Sequence, residues 1–577
     1  MAGDEFFKRE IKLMHDALNE GDLDRVRELR QTKTFTTIVS QHGVDLISSI
    51  SKFMDDERIY KCPHLVECYE EILESIVDEI DPDDLFVTLL EQVDEESCCI
   101  EKFLMLLDPL KFTLVKLGSS REYWLEWTLS TIKFYLESVH FPEDHNIEFD
   151  EKIMTVNDPH VDKLLHLSAK LVVFYETFLN DTISAREIDA LIAFGFHILA
   201  EPVMYLYLEK FEKLQEICDQ VLRSIGKLYG KAYCLFEFID ETKALDVEEL
   251  EPDKDTYLDE DSSDFVVRNP LWAKIKILPL AVYYSVRITE TPFTNYFPLA
   301  FSPVYLFHKL LYLSVLLMKN FHNAVVRKGL LLCDKIFRST PNGSIPYGYL
   351  EYKVHKKFVA AVSRICIYSY IFENRKLAIE LLQSYVLKFD PKGTYLLLMN
   401  ITSETGSEDI DSEIITIFRK MMHTSFVENN FQYYQKGKYL IDLLKIFAKL
   451  GEGSDTDLIA SKNKIVSLLY LFALMLRRDA QNQTGIHDYY DHFDRNYFTV
   501  IEEAIEKSRE KYKRDAVTFI NNDDPLPFED NVSIVVEGKS LPRLQREDKI
   551  NATKNALSAL DMIEHAMQLV YEYNACK

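Results

Sequence analysis

Apolar residues recur three and four positions apart along nearly the whole chain, the spacing that gathers side chains on one face of an α-helix. In KYLIDLLKIFAKLG (438–451) the stripe is Leu440, Leu443, Leu444, Phe447 and Leu450, and Gly451 is the expected stop. In NALSALDMIEHAMQLVYE (555–572) it is Ala556, Leu560, Ile563, Met567 and Val570, while Asp561, Glu564 and Gln568 point the other way. KIVSLLYLFALML (464–476) is apolar all round and is expected to lie between two neighbours. Helix starts are also written in. Asp81-Pro82 and Asp390-Pro391 each place a capping carboxylate before a proline whose missing N–H costs a first helical turn nothing.

Roughly twenty such helices, joined mostly by short polar turns, predict an all-α fold: a HEAT- or armadillo-like helical-repeat solenoid. No clean repeat signature is visible, so the repeats are degenerate; a set of separate helical bundles is the alternative. LAFSPVYLFHKLLYLSVLLM (299–318) has the length of a membrane span, but Pro303, His308 and Lys309 favour a buried solenoid helix.

Two stretches break the pattern. LDVEELEPDKDTYLDEDSSD (245–264) carries ten acids and one lysine, a density of like charge that resists packing. NNDDPLPFEDNVSIVVEGKSLPR (521–543) is loop-like around one short β-type run, Val532–Val536, and precedes a docked helix at about 547–573. The expected organisation is an N-terminal helical half (1–244), an acidic mobile loop (245–266), a C-terminal HEAT-like half (267–520), and a closing segment (521–577).

Composition supports this reading. The 577 residues include only 17 glycines and 18 prolines, where average usage of about 7% and 5% gives roughly forty and thirty. Few breakers mean long helices and argue against Gly-rich phosphate loops. The net charge of −28, without a long basic stripe, disfavours nucleic acid and an anionic membrane surface as partners. Nine cysteines, none in C-x-x-C, read as reduced and mostly buried thiols. MAGDEFFKRE shows no apolar signal-peptide core, so the expected location is the cytoplasm, with the nucleus also open.

Candidate chemistry is sparse. DAQNQTGIHDYYDHFD (479–494) offers His487, Asp491 and His492, but the two histidines are five apart and diverge by about 140° around a helix. A metal-binding helix prefers ligands four apart, and no H-E-x-x-H occurs. Asp253 begins a loose calcium-loop match that has Leu258 where glycine is required. GEGSDT (451–456) starts like a dinucleotide loop yet lacks the third glycine and a preceding strand, so it reads as a helix–helix turn. Trp124 and Trp127 share a helical face as core or groove residues. No cofactor and no catalytic group is expected, only a helical scaffold acting through its surfaces.

The C-terminal half resembles the glomulin family, which also takes in yeast Yap-binding proteins and a plant lateral-root-formation protein. The resemblance is carried by LAFSPVYLFHKLLYL (299–313), AVVRKGLLLCDKIF (324–337), GSDTDLIASKNKIVSLLYL (453–471), NQTG (482–485), VSIVVEGKSLPRL and ALSALDMIEHAMQLV. LLDPLKFTLVKL (106–117) and LSTIKFYL (129–136) form a weaker N-terminal counterpart. It is good over about 298–575 and patchy over about 100–180.

The resemblance implies a HEAT-like scaffold whose C-terminal part binds the RING domain of the RING-box subunit of cullin-RING ubiquitin ligases, and the cullin through it. The inhibitor would cover the face where a charged E2 docks. An FK506-binding immunophilin is a further partner implied by the family, though no residues here carry it. On this reading Asn482, Gln483, Thr484, Gly485, Tyr489 and Tyr490 are exposed contact candidates, with Lys436, Lys438, Lys462 and Lys464 as nearby polar-face candidates. The competing expectation is an adaptor in trafficking or stress signalling that holds basic partners by its acidic loop.

Overall fold

The computed structural model describes residues 2–20, 22–52, 54, 65–95, 99–118, 121–139, 159–179, 184–201, 203–208, 211–229, 276–290, 301–404, 406–521, 535–536, 539–540 and 546–575. The acidic segment 245–266 and the calcium-loop match from Asp253 lie outside them.

Packing divides the chain into two compact units, Met1–Lys335 and Ile336–Lys577. The division falls within a helix, well C-terminal of the acidic segment where the sequence placed it. The first unit contains α1 (Ala2–Glu20), α2 (Leu23–Arg30), α3 (Lys33–Ser51), α4 (Leu65–Glu79), α5 (Pro82–Val93) and α6 (Ile100–Lys116). It continues with α7 (Arg121–Ser138), α8 (Pro159–Thr177), α9 (Ala185–Ala200), α10 (Glu212–Tyr229), α11 (Ile277–Glu290) and α12 (Pro303–Met318). Helix α13 (Asn323–Ser339) carries the chain across the division. The second unit holds α14 (Lys353–Tyr368), α15 (Phe372–Lys388), α16 (Pro391–Glu404), α17 (Glu408–Glu428) and α18 (Gly437–Phe447). It ends with α19 (Lys462–Arg478), α20 (Thr499–Asn521) and α21 (Arg546–Ala575).

Among the described helices of the first unit, every substantial contact joins a helix to the next described one or the next but one. The second unit follows the same rule, with α17 also reaching α14. Nearest-neighbour packing of this kind is the quasi-one-dimensional arrangement of a helical-repeat stack. A globular bundle would pair helices distant in sequence.

Local chemistry sets the helix ends. Asp81 caps α5 by accepting from the Asp83 N–H, with Pro82 at the first helical position. Ser302 caps α12 by accepting from the Tyr305 N–H at 3.1 Å, so the membrane-like stretch is a core helix with Leu306, Phe307, Leu310 and Leu313 buried. Ser184 and Glu187 form a reciprocal capping box on α9, and the same Glu187 carboxylate takes Arg121 of α7 at 2.9 Å. Helix α19 packs against both α17 and α21, the inner position its all-round apolar pattern required. On α21 the predicted stripe of Ala556, Leu560, Ile563, Met567 and Val570 is buried.

Some expectations shift. Helix α18 ends at Phe447, ahead of Gly451, because Ala448 closes it with bonds to Leu444 and Ile446, and Leu450 is only half-buried. The β-type run survives only as Val535–Val536, paired antiparallel with Lys539–Ser540; residues 532–534 are outside the described set. Trp124 and Trp127 stack at 5.5 Å, but Trp127 is 44% exposed, so the pair lies at a core margin. GEGSDT is a single 3-10 turn at Gly453–Asp455 with Gly453 at φ +59°, a helix–helix connection as read. Of the described cysteines, Cys68, Cys218 and Cys333 are buried, and Cys99 and Cys366 are half-buried.

Candidate protein-docking surface

The connection after α19 is built around one buried carboxylate. Asp479 accepts from the Gln483 N–H at 2.6 Å and the Thr484 N–H at 2.8 Å, and also takes the Thr484 hydroxyl. Two turn N–H groups that no helix could satisfy are thereby paired. Asn482 adopts φ +52°, a left-handed conformation asparagine tolerates, and Gly485 follows at φ +79°. The Asn482 side chain accepts from the His487 N–H at 3.2 Å and donates to Asp488 at 2.9 Å. His487 Nε2 meets the Asp479 carbonyl at 2.9 Å. The N-Q-T-G stretch is thus largely the internal frame of its own turn.

This frame is tied to α18, because the Thr484 carbonyl accepts from the Gly437 N–H at 2.8 Å. At the other end of α18, the Lys464 ammonium reaches the Lys449 carbonyl at 3.5 Å. Helices α18 and α19 therefore run antiparallel. The 11 residues of α18 hold its two ends about 16 Å apart.

The sequence-predicted residues separate accordingly. Lys436 and Lys438 are exposed beside the 482–490 turn, as are Gln483 and Tyr489. Lys462 and Lys464 sit at the opposite end and do not join them. Lys464 is committed to a largely buried ion pair with Asp411 at 2.8 Å. Thr484 was expected as a contact and is fully buried, its hydroxyl spent on Asp479. Tyr490 is half-buried: its ring lies 5.9 Å from Phe498, and burial pushes its phenol up to about 12. Gly485 serves backbone geometry alone. In the metal reading, His487 is held by the turn and His492 lies near Asn496. Among the described residues no group of three His, Cys, Asp or Glu is arranged to hold a metal.

What the sequence reading missed is a tyrosine cluster next to Lys436 and Lys438. Tyr395 of α16 lies 6.2 Å from Tyr433 and 5.5 Å from Tyr439, and Tyr433 lies 5.1 Å from Tyr439. Tyr433 is 36% exposed, Tyr439 49% and Tyr489 40%. Tyr434 is buried beneath them, and buried Gln435 fixes the 3-10 turn by accepting from the Gln432 N–H and the Ser425 hydroxyl, both at 2.8 Å. Burial raises the phenols of Tyr395 and Tyr433, with neighbouring Asp442 and Tyr439 adding in the same direction.

The face extends to Tyr347, whose ring lies 3.6 Å from the Lys392 ammonium. Asp390 organises this edge: one oxygen caps α16 through the Gly393 N–H at 2.7 Å and the other accepts from the Tyr347 N–H at 3.0 Å. The run FQYYQKGKY (431–439) was the available signal. Tyr395, distant in sequence, could not have been read from it.

Exposed tyrosines on a rigid base, flanked by lysines, are the composition of a protein-binding face. They supply amphipathic contact area at low conformational cost. Nothing in the arrangement activates a nucleophile or pairs an acid with a base.

Residues 302–566 match a family described as "Uncharacterised protein family, YAP/Alf4/glomulin". The human protein "Glomulin" is 22% identical over 583 residues, covering 96% of this chain and 91% of its own length. "Glomulin" of the mouse is 22% identical over 581 residues with the same coverage. Among solved structures, the karyopherin Kap121p, crystallised with the extreme C-terminus of the protein phosphatase Cdc14p, aligns with 98% of this chain and 58% of its own. Its TM-score of 0.22 and 10% identity are too low to bear on the fold. The chain is thus similar to glomulin over nearly its whole length, and its residues 302–566 resemble the YAP/Alf4/glomulin family.

Proposed function

We propose that the chain is a non-catalytic inhibitor of cullin-RING ubiquitin ligases. Its C-terminal unit would bind the RING domain of the RING-box subunit and cover the face at which a ubiquitin-charged E2 docks. The supporting observation is a coincidence of place. The family match runs through most of the unit 336–577, and the tyrosine–lysine face lies in that unit. Tyr433, Tyr439 and Tyr489 would be the anchors, with Lys436 and Lys438 setting orientation and partner choice. Inhibition would follow from mutual exclusion, with no chemistry by the inhibitor.

The test is titration of the full chain against RING-box protein held on a cullin C-terminal domain, with E2-dependent ubiquitin-chain formation followed in parallel. Binding in the micromolar range or tighter, a matching loss of chains and recovery on adding excess E2 are expected. No binding by a folded chain would overturn the reading. So would inhibition that excess E2 fails to relieve.

A further inference from the structure

A second surface of the same unit has the opposite character to the chain as a whole. A groove of about 640 Å³ runs over the C-terminal half of α19, between α17 and α21. Five basic side chains line it: Arg419, Lys420 and His423 from α17, and Arg477 and Arg478 from α19. No carboxylate lines it. Among the described residues none of the five makes an ion pair. Asp409 and Glu413 line an adjoining cavity that shares Arg419 and Tyr470, and from there Glu413 acts electrostatically on Lys420.

A local explanation covers only part of this. Arg477 and Arg478 stand in the last turn of α19, where a positive charge favours the helix dipole. Arg419, Lys420 and His423 lie well inside α17, so their convergence on the same groove has no such cause. Like charges placed together repel, and in a chain of net charge −28 acids were abundant enough to line the groove beside them.

The rest of the lining is specific in kind. The floor is apolar, with Ala473 and Leu474 of α19 and Leu569 of α21. Two tyrosines hold guanidinium groups at their rings: Arg419 lies 5.7 Å from the Tyr470 centroid and Arg477 5.4 Å from that of Tyr573. A guanidinium resting on an aromatic face is oriented but keeps its N–H edges available for a bidentate carboxylate. Over the nine residues of α19 from Tyr470 to Arg478, the groove is about 12 Å long, the span of three or four extended residues or two helical turns.

We propose that this groove binds an acidic peptide segment of a partner protein, one in which aspartates or glutamates flank an apolar residue. The carboxylates pair with Arg419, Arg477 and Arg478, and the apolar residue sits on Leu474 and Leu569. The site is separate from the tyrosine–lysine face and does not depend on the RING reading.

The test uses the full chain and a short fluorescein-labelled peptide of alternating glutamate and leucine, followed by anisotropy. Saturable binding that weakens as salt rises is expected. The variants R419E and R477E should each weaken it about tenfold, the scale of one lost charge-assisted pair. K438E, on the other face, should leave it unchanged while reducing RING-box binding, so the two proposals fail separately. Circular dichroism on each variant confirms that helix content is kept, and the milder R419Q, which retains bulk without charge, should fall between wild type and R419E. Equal binding of a glutamine–leucine peptide would overturn the proposal, as would peptide binding indifferent to R419E and R477E. An RNA oligonucleotide that displaces the peptide at lower concentration would also overturn it, pointing to a general polyanion surface.

Discussion

The two ends of the α18–α19 pair use polar residues in opposite ways. At one end Asp479, Thr484 and Asn482 turn inward and satisfy the backbone of their own loop, leaving tyrosines and lysines to face outward. At the other, Lys464 turns inward to Asp411, and the surface-like residue becomes part of the core. Sequence position places all these residues within one stretch of chain, and the antiparallel pairing separates them by a helix length. Polarity therefore does not mark a contact surface. The informative question is which backbone or buried groups already need the polar side chain.

The sharpest way to break the first end is Asp479→Ala. It leaves the Gln483 and Thr484 N–H groups and a buried hydroxyl without their acceptor. Buried donors left unpaired should cost about 3 kcal/mol, read as a lower urea midpoint at unchanged m-value. If the turn is the frame described, RING-box binding should weaken as well, although Asp479 is buried and touches no partner. A variant as stable as wild type would mean the carboxylate frames nothing.

The helix caps were legible in the sequence because they are local: Asp81 and Asp390 act on N–H groups two and three residues away. The inner position of α19 was legible because its close run of Leu468, Leu469, Leu471, Phe472, Met475 and Leu476 needs burial on more than one side. The N-Q-T-G turn was found but misread, since its function depends on Asp479, whose burial only the packing of α18 against the loop creates. Lys462 and Lys464 were misplaced for a related reason, as helix pairing, and not proximity in sequence, decides which polar ends meet. The tyrosine cluster needed Tyr395, thirty-eight residues before Tyr433, and no periodicity links the two. The family resemblance supplied the region and the scaffold class, and the geometry then redistributed the residues within it.

The other end breaks more mildly. Lys464→Met strands the Asp411 carboxylate in a setting only 6% exposed. The expected loss is about 2 kcal/mol, less than a fully trapped charge costs because the carboxyl can take up a proton. Joint replacement, Asp411→Leu with Lys464→Met, should recover most of it, since an apolar pair removes both desolvation penalties. Burial raises the Asp411 carboxyl in the wild type, with Lys464 opposing. The folded state thus holds this proton more tightly than the unfolded chain does. The site's contribution is greatest below the ordinary carboxylate range and declines as pH rises through the raised value. Chemical denaturation at several pH values should show Lys464→Met recovering toward wild type in mild acid, and the double variant losing that dependence.

The smallest effects on stability belong to the tyrosine–lysine face, and they separate surface from frame most cleanly. Tyr439→Ala removes two ring contacts, at 5.5 Å to Tyr395 and 5.1 Å to Tyr433, from a half-exposed position. Such pairs add about 0.5–1.5 kcal/mol, so the unfolding free energy read by urea titration should fall by about 1 kcal/mol at most. Lys436→Ala and Lys438→Ala, both exposed, should stay within about 0.5 kcal/mol of wild type. If this face is the docking surface, Tyr439→Ala should nonetheless weaken RING-box binding by about tenfold, the scale of a tyrosine anchor, chiefly through faster dissociation. The lysine variants should instead slow association and reduce its salt dependence, since rim charges steer encounter more than they hold the complex. A frame residue cannot show that pattern, because its loss must appear in stability before it appears in binding. Tyr439→Ala that costs stability but no affinity would return the cluster to the ordinary packing of α16 against α18.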